Sequence, residues 1–122
     1  KTIVEQGIVA ATRQAMTAAI AALSCSPDFL LIDYLRLPQV TVPQVNLAKG
    51  DQKSLTIAAA SIVAKVTRDR LMAELGRQYP AYGFQQHKGY GTRAHRAALA
   101  DHGITPLHRL TWRPFADYEL AD

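Results

Sequence analysis

From Leu55 to Gln78 the chain runs without a proline, and its first half is Ala-rich and apolar almost all round. A segment of that length and pattern is predicted to be one helix, with Ser54 at its N-cap and Pro80 stopping it. A helix apolar on every side is expected to be buried. Its second half turns charged at Lys65, Arg68, Asp69, Arg70, Glu74 and Arg77. This helix needs a sheet to cover, and the sequence offers little of one.

Two short segments read as strands. Phe29-Leu30-Leu31-Ile32 is a continuous apolar run between Asp28 and Asp33, too short for a helix, and is expected to be a fully buried strand. Val45-Asn46-Leu47-Ala48 is the second, with Lys49-Gly50-Asp51 as the turn after it. Between them, Arg36 to Pro43 carries two prolines and alternating Val40 and Val42, an irregular arm or an edge strand.

Helices fill most of the rest. Thr2-Ile3-Val4-Glu5 has the form of a capping box, and apolar residues from Val4 to Leu23 recur at three- and four-residue steps. Gly7 sits inside that helix at an expected cost of about 1 kcal/mol relative to Ala. Residues 80 to 92 read as a loop rich in Gly and Tyr. Thr92 then caps a helix from Arg93 to His102, with Gly103 closing it. Thr105-Pro106 starts a further helical turn, and Trp112, Pro114 and Phe115 are expected to pack back on the body.

Strands alternating with helices indicate an α/β layer fold. With 122 residues there is room for one domain. Two strands make too small a sheet for the long helix, so the expectation is an α/β domain lacking its first strands. Starting at Lys1, directly before a helix, the chain looks like a portion of a longer protein. The strand Phe29 to Ile32 is expected to expose an apolar face and a bare edge, and to pair with another copy or with an N-terminal segment.

The formal charge is +4, from 14 Lys and Arg against 10 Asp and Glu, a mild basic excess that suits an anionic partner such as nucleic acid. One cysteine, Cys25, excludes an internal disulfide and fits a reducing cytoplasm. The longest apolar run is too short to span a membrane, and no signal peptide is visible.

Asp33 stands at the C-terminal end of the buried strand, where open α/β sheets place their sites. Asp51 follows in a Gly turn between strand and helix. Two such carboxylates can converge on a hard divalent cation, or each can simply close a turn. The loop Gln86-His87-Lys88-Gly89-Tyr90-Gly91-Thr92 is a second candidate. Lys88 offers a point charge for phosphate and Tyr90 a flat face for a sugar or base; alternatively this is a surface loop with a packed tyrosine. Lys65 and Arg68 belong to a solvated helix face or reach a nucleic-acid backbone. His95 and His102 lie two turns apart on one helix, too far to share an ion, and no HxxxH or CxxC pattern occurs.

Beyond these local readings, Lys49-Gly50-Asp51-Gln52-Lys53-Ser54 followed by Ile57-Ala58-Ala59-Ala60-Ser61-Ile62-Val63-Ala64-Lys65-Val66-Thr67-Arg68-Asp69 resembles the signature of bacterial ribonuclease HII. The likeness continues through Tyr79-Pro80, Tyr82-Gly83-Phe84, His87-Lys88-Gly89-Tyr90-Gly91-Thr92, His95 and His108-Arg109, in the family's order. It implies a ribonuclease H-like fold, incomplete here, with residues 1–122 as a single partial domain. It implies an endonuclease that hydrolyses the RNA strand of RNA–DNA hybrids and incises 5′ to ribonucleotides in duplex DNA, using two Mn²⁺ or Mg²⁺ ions.

The family holds those ions with four carboxylates, and Asp33 and Asp51 fall where the third and fourth belong. Tyr90 falls on the tyrosine that stacks on the sugar beside a ribonucleotide–deoxyribonucleotide junction. Lys88 and Ser54 fall where backbone phosphate is approached. The family's opening Asp-Glu-x-Gly-Arg-Gly stretch, which supplies the other two carboxylates and the contacts to the ribose 2′-hydroxyl, has no counterpart in these residues. Gly7 stands where the family more often has Asn, and Tyr34 where Gly more often follows the third carboxylate. A truncated piece that binds nucleic acid without cutting it is the alternative expectation.

Overall fold

The computed structural model describes residues 2–109. The chain divides into two compact units, Lys1–Val63 and Ala64–Asp122.

The first unit opens with α1, Thr2–Ala21. This helix is broken at Gly7, whose φ of 82° and ψ of 168° are not helical. The expected uninterrupted helix is therefore two pieces joined at a kink. Glycine reaches that conformation without a Cβ clash, so the residue breaks the helix rather than costing it propensity. Thr2 lies at the margin of the described side chains, and the capping box is not settled by them. Further along, Arg13 Nε donates to the Arg36 carbonyl at 3.1 Å, tying α1 to the arm that follows β1.

β1 is Leu30–Asp33 and β2 is Gln44–Leu47. They pair in parallel, with Leu30 opposite Gln44 and Asp33 opposite Leu47. The crossover between them is irregular, not a strand. Its carbonyls are stitched to β2 by two amide side chains. Gln44 Nε2 donates to Leu37 O at 2.9 Å and Val40 O at 3.3 Å, while its Oε1 accepts from Leu37 N at 2.9 Å. Asn46 Nδ2 donates to Leu35 O at 2.6 Å. Leu37, thus held, is buried.

The expected full burial of the first strand is not met: only Ile32 is buried, and Phe29, Leu31 and Val45 are exposed. Leu31 and Val45 are register partners, so one face of this two-stranded sheet is apolar and open. The predicted turn at Lys49-Gly50-Asp51 is instead a one-turn helix, α2, Gly50–Lys53.

α3 runs over Leu55–Gln78, as its uninterrupted pattern predicts. Its first half is not buried, however. Ile57 is, but Leu55 is 88% exposed and Ile62 and Val63 are exposed too. An all-apolar surface finds partners only where chain is available to cover it, and here the neighbouring residues cover one side alone.

In the second unit, the end of α3 supplies Met72 and Leu75 to a core of Tyr82, Phe84, Leu99 and Ile104. The expected loop over residues 80–92 holds two short helical pieces, a 3₁₀ turn at Pro80–Tyr82 and α4, Phe84–His87. Gly83, with φ of 68°, makes the corner between them. α5 is Arg93–His102, with the expected Thr92 cap: Oγ1 accepts from His95 N at 3.2 Å. Thr105-Pro106 begins no helix. Thr105 is buried and its amide is taken by His108 Nδ1 at 3.0 Å, which sets a turn there. Trp112, Pro114 and Phe115 lie outside the described residues.

Candidate functional site

In the first unit the site is built at the C-terminal edge of the two strands. Parallel pairing brings both strand ends to the same edge, so Asp33 at the end of β1 and α2, just past β2, are neighbours. A backbone bond fixes the relation: Gly50 N donates to Asp33 Oδ1 at 2.9 Å. Glycine is needed at residue 50 for space. A Cβ there would stand 2.8 Å from Ile57 Cδ1 and 3.3 Å from Asp33 Oδ1. Asp51 is the next residue, in the first turn of α2. The side chains of Asp33 and Asp51 are exposed.

These are hard oxygen donors at one edge, open to solvent, with one lobe of Asp33 already held by an amide. That donor set fits Mg²⁺ or Mn²⁺, which retain water and take one or two carboxylates from protein. No group of three or more His, Cys, Asp or Glu side chains able to hold a metal ion occurs among the described residues. Ser54 closes α2 by donating its amide to Gly50 O at 2.8 Å, and its Oγ accepts from Ile57 N at 3.4 Å at the start of α3. Its expected N-cap role is met.

In the second unit the loop from Lys88 to Thr92 presents Tyr90, 63% exposed. The Arg68 guanidinium lies 5.0 Å from the Tyr90 ring centroid, and its Nη2 donates to Lys88 O at 2.8 Å. A cation against the ring and a donor on the loop backbone together hold Tyr90 while most of its surface stays exposed. Lys88 has φ of 53° and its Nζ donates to Gln85 O at 2.7 Å. Beside this loop lies a cavity of about 470 Å³ whose lining includes Arg68, Lys88, Arg109, Phe84, His95 and His108. It has an aromatic wall and three cations, the combination that suits an anionic, ring-bearing ligand. Lys65, by contrast, pairs with Asp69 at 2.6 Å, and that hydrogen bond lowers the Asp69 carboxyl below its usual range.

The structure thus joins Asp33 to Asp51 through Gly50, and Lys88 to Tyr90 through Arg68. A family model described as Ribonuclease HII matches residues 1–115. The chain belongs to the ribonuclease HII family. It is 56% identical over 113 residues to proteins named Ribonuclease HII from Bacillus thuringiensis (strain Al Hakam), Bacillus cereus (strain AH820) and Bacillus anthracis (strain CDC 684 / NRRL 3495). Each alignment takes 93% of this chain and 44% of the relative, so the chain spans less than half the length of these ribonucleases HII.

Membership gives one departure a physical reading. Tyr34, directly after Asp33, has φ of 62°, a left-handed conformation that glycine adopts without strain. The backbone there has a shape that a glycine would adopt freely, and the tyrosine side chain is 74% exposed.

Sequence reasoning missed one cluster. His87, His95 and His108 converge, with the His87 and His95 rings stacked at 4.3 Å and His95 Nε2 3.1 Å from His108 Nε2. Burial holds both His95 and His108 below the usual histidine range; for His95 the bond to the Tyr90 carbonyl pulls the other way, and nearby imidazoles add to the depression of both. Helical spacing sets His95 beside His102 alone, a pair too far apart to share an ion, and does not reach His108. Only the return of the chain at Thr105 delivers His108, and no local pattern announces that.

Proposed function

We propose that this chain carries the later part of the active site of an endoribonuclease acting on RNA–DNA hybrids and on duplex DNA with embedded ribonucleotides, and that it forms one partial ribonuclease HII domain. The observation that carries the reading is the Gly50 amide on Asp33 Oδ1, which sets Asp33 and Asp51 at one sheet edge within the family's own motif. When bound, Mn²⁺ or Mg²⁺ ions, two in the intact enzyme, supply an activated water and neutralise charge on the scissile phosphate. Asp33 and Asp51 serve as ligands, together with two carboxylates of the wider family pattern.

Asp33 is oriented by the Gly50 amide, so the oxygen not held by it is the one offered outward. Tyr90 offers the face opposite Arg68 to the sugar at the junction. Lys88, and with it Ser54, sits where backbone phosphate is approached. A cytoplasmic location is part of the proposal; among the described residues no helix is long and apolar enough to cross a membrane, and Cys25 is exposed.

The test is cleavage of a labelled duplex carrying one ribonucleotide, by the chain joined to a ribonuclease HII N-terminal segment. Cutting on the 5′ side of the ribonucleotide, abolished by Asp33→Asn or Asp51→Asn, is the expected result. Near-unchanged cutting by either variant would remove that residue from the site. A second reading has its own support: the Tyr90 surface is complete within one unit, whereas the carboxylates number two. Salt-dependent binding of hybrid by the chain alone, without cleavage, is what a binding module would give.

A further inference from the structure

We infer that His108 and His95 form a hydrogen-bonded imidazole relay whose job is to hold the Tyr90 carbonyl, making both positioning residues for nucleic-acid recognition. The inference rests on the Tyr90 role proposed above and adds what presets that loop.

The proton placements follow from the backbone partners, since an amide N–H only donates and a carbonyl only accepts. Thr105 N donates to His108 Nδ1 at 3.0 Å, so the neutral His108 ring carries its proton on Nε2. The Thr105 hydroxyl, which accepts from Leu107 N at 3.3 Å, donates to the same His108 Nδ1 at 2.9 Å. Tyr90 O can only accept, so His95 Nδ1, at 3.1 Å, donates to it. That leaves the His95 Nε2 lone pair facing the His108 Nε2–H across 3.1 Å, a matched pair. The direction is continuous: Thr105 amide to His108, His108 to His95, His95 to the Tyr90 carbonyl. A metal bridging the two Nε2 atoms would need His108 Nδ1 to carry the proton, against the Thr105 amide, so the pair is a relay and not a cation site.

Everything around the relay serves the same loop. Tyr90 N donates to His87 O at 2.9 Å, and Gly89 N to His87 Nδ1 at 3.2 Å. His87 Nε2 donates to Tyr82 O at 2.6 Å, anchoring that ring in the core. Lys88 O is taken by Arg68, and Gly91 O accepts from Arg96 Nη1 at 2.6 Å. His95 is 2% exposed and Tyr90 63%. A backbone bound at successive positions beneath an exposed ring is a preorganised contact: ordering is complete before the ligand arrives, and affinity is not spent on it.

The relay works only while both rings are neutral. A second proton on His95 would set an Nε2–H against the His108 Nε2–H. Among the described residues, the charged groups lining the cavity with them are Arg68, Lys88 and Arg109, and His87 is stacked on His95. Acidification therefore releases the loop.

Two measurements on the full chain test this. The first is affinity for a labelled duplex with one ribonucleotide. His95→Leu is expected to weaken binding about fivefold, the worth of one hydrogen bond. His95→Asn, whose amide still reaches the Tyr90 carbonyl, should recover most of it. His95→Leu combined with Tyr90→Ala should bind no worse than Tyr90→Ala alone. Effects that multiply, or Asn no better than Leu, would overturn the relay.

The second is amide-exchange protection over residues 88–92, which needs no nucleic acid. As pH falls from about 7.5 through the lowered His95 and His108 values, protection should fall in the wild type and stay level in His95→Asn. His108→Gln, which keeps a donor toward His95, should retain wild-type protection at neutral pH. Parallel pH profiles in wild type and His95→Asn would sink the inference. If the wild-type chain binds no nucleic acid yet the exchange results hold, the proposed function fails and the relay stands.

Discussion

The Asp33–Asp51 edge and the Tyr90 loop are built on opposite plans. At the carboxylate edge one backbone bond holds one oxygen, and the strands beneath expose Leu31 and Val45. At the Tyr90 loop the carbonyls of Lys88, Tyr90 and Gly91 each accept from a different side chain, above a core containing Tyr82, Phe84 and Leu99. The difference teaches that the Tyr90 loop is held from within its own unit, whereas the carboxylate edge rests on a two-stranded sheet with one open face.

Five perturbations would break or sharpen that contrast. Leu99→Ala, deep in the second unit, should cost about 3 kcal/mol in denaturant unfolding, against under about 1 kcal/mol for Leu31→Ala on the open sheet. Equal losses would mean that the open face is covered in solution, by another copy or by an N-terminal segment. Sedimentation of the chain would then show association. Next comes Asp33→Asn in the joined enzyme. Loss of an outer partner to a ligand costs about 10- to 100-fold, so loss of the ligand itself should lower cleavage by at least about 100-fold.

A smaller effect is expected from Gly50→Ala, whose Cβ meets Ile57 and Asp33. Crowding of this kind costs about 1–3 kcal/mol, readable as a lower melting temperature, and should weaken cleavage by moving Asp33. The pH series follows. Because folding lowers the His95 and His108 pKa values, their contribution is complete above the unfolded value of about 6.5. It declines as pH falls through the lowered folded values, since the unfolded chain then binds more protons. The denaturation midpoint should drop over that window, and less so in His95→Asn. Smallest of all, Asp69→Ala should leave the midpoint unresolved from wild type, because its pair with Lys65 is solvent-exposed.

Where sequence and structure agree, short-range physics decides. α3 and α5 are legible because a proline-free run, a Thr92 cap and a Gly103 stop act within a few residues. Asp33 was legible as a carboxylate at a strand end, and Asp51 as one in a Gly turn where the structure has α2. Gly50 was legible only as a turn residue; its real constraint, the Ile57 methyl, comes from α3. The burial of Phe29–Ile32 and of the Ala-rich half of α3 was misread because apolarity states a demand for cover, not its fulfilment. Gly7 was weighed as a propensity cost when its backbone had left the helix altogether. The imidazole relay was illegible: it depends on a turn at Thr105 that buries one hydroxyl and returns His108 to a helix thirteen residues back.

The crossover between β1 and β2 carries one more consequence. Its shape depends on Gln44 and Asn46 offering N–H groups to the carbonyls of Leu37, Val40 and Leu35. Amides are among the chemically labile side chains, and hydrolysis would convert each donor into a carboxylate facing those oxygens. Ageing of the protein at either residue would therefore loosen the path from Asp33 to β2 by turning an attraction between side chain and backbone into a repulsion.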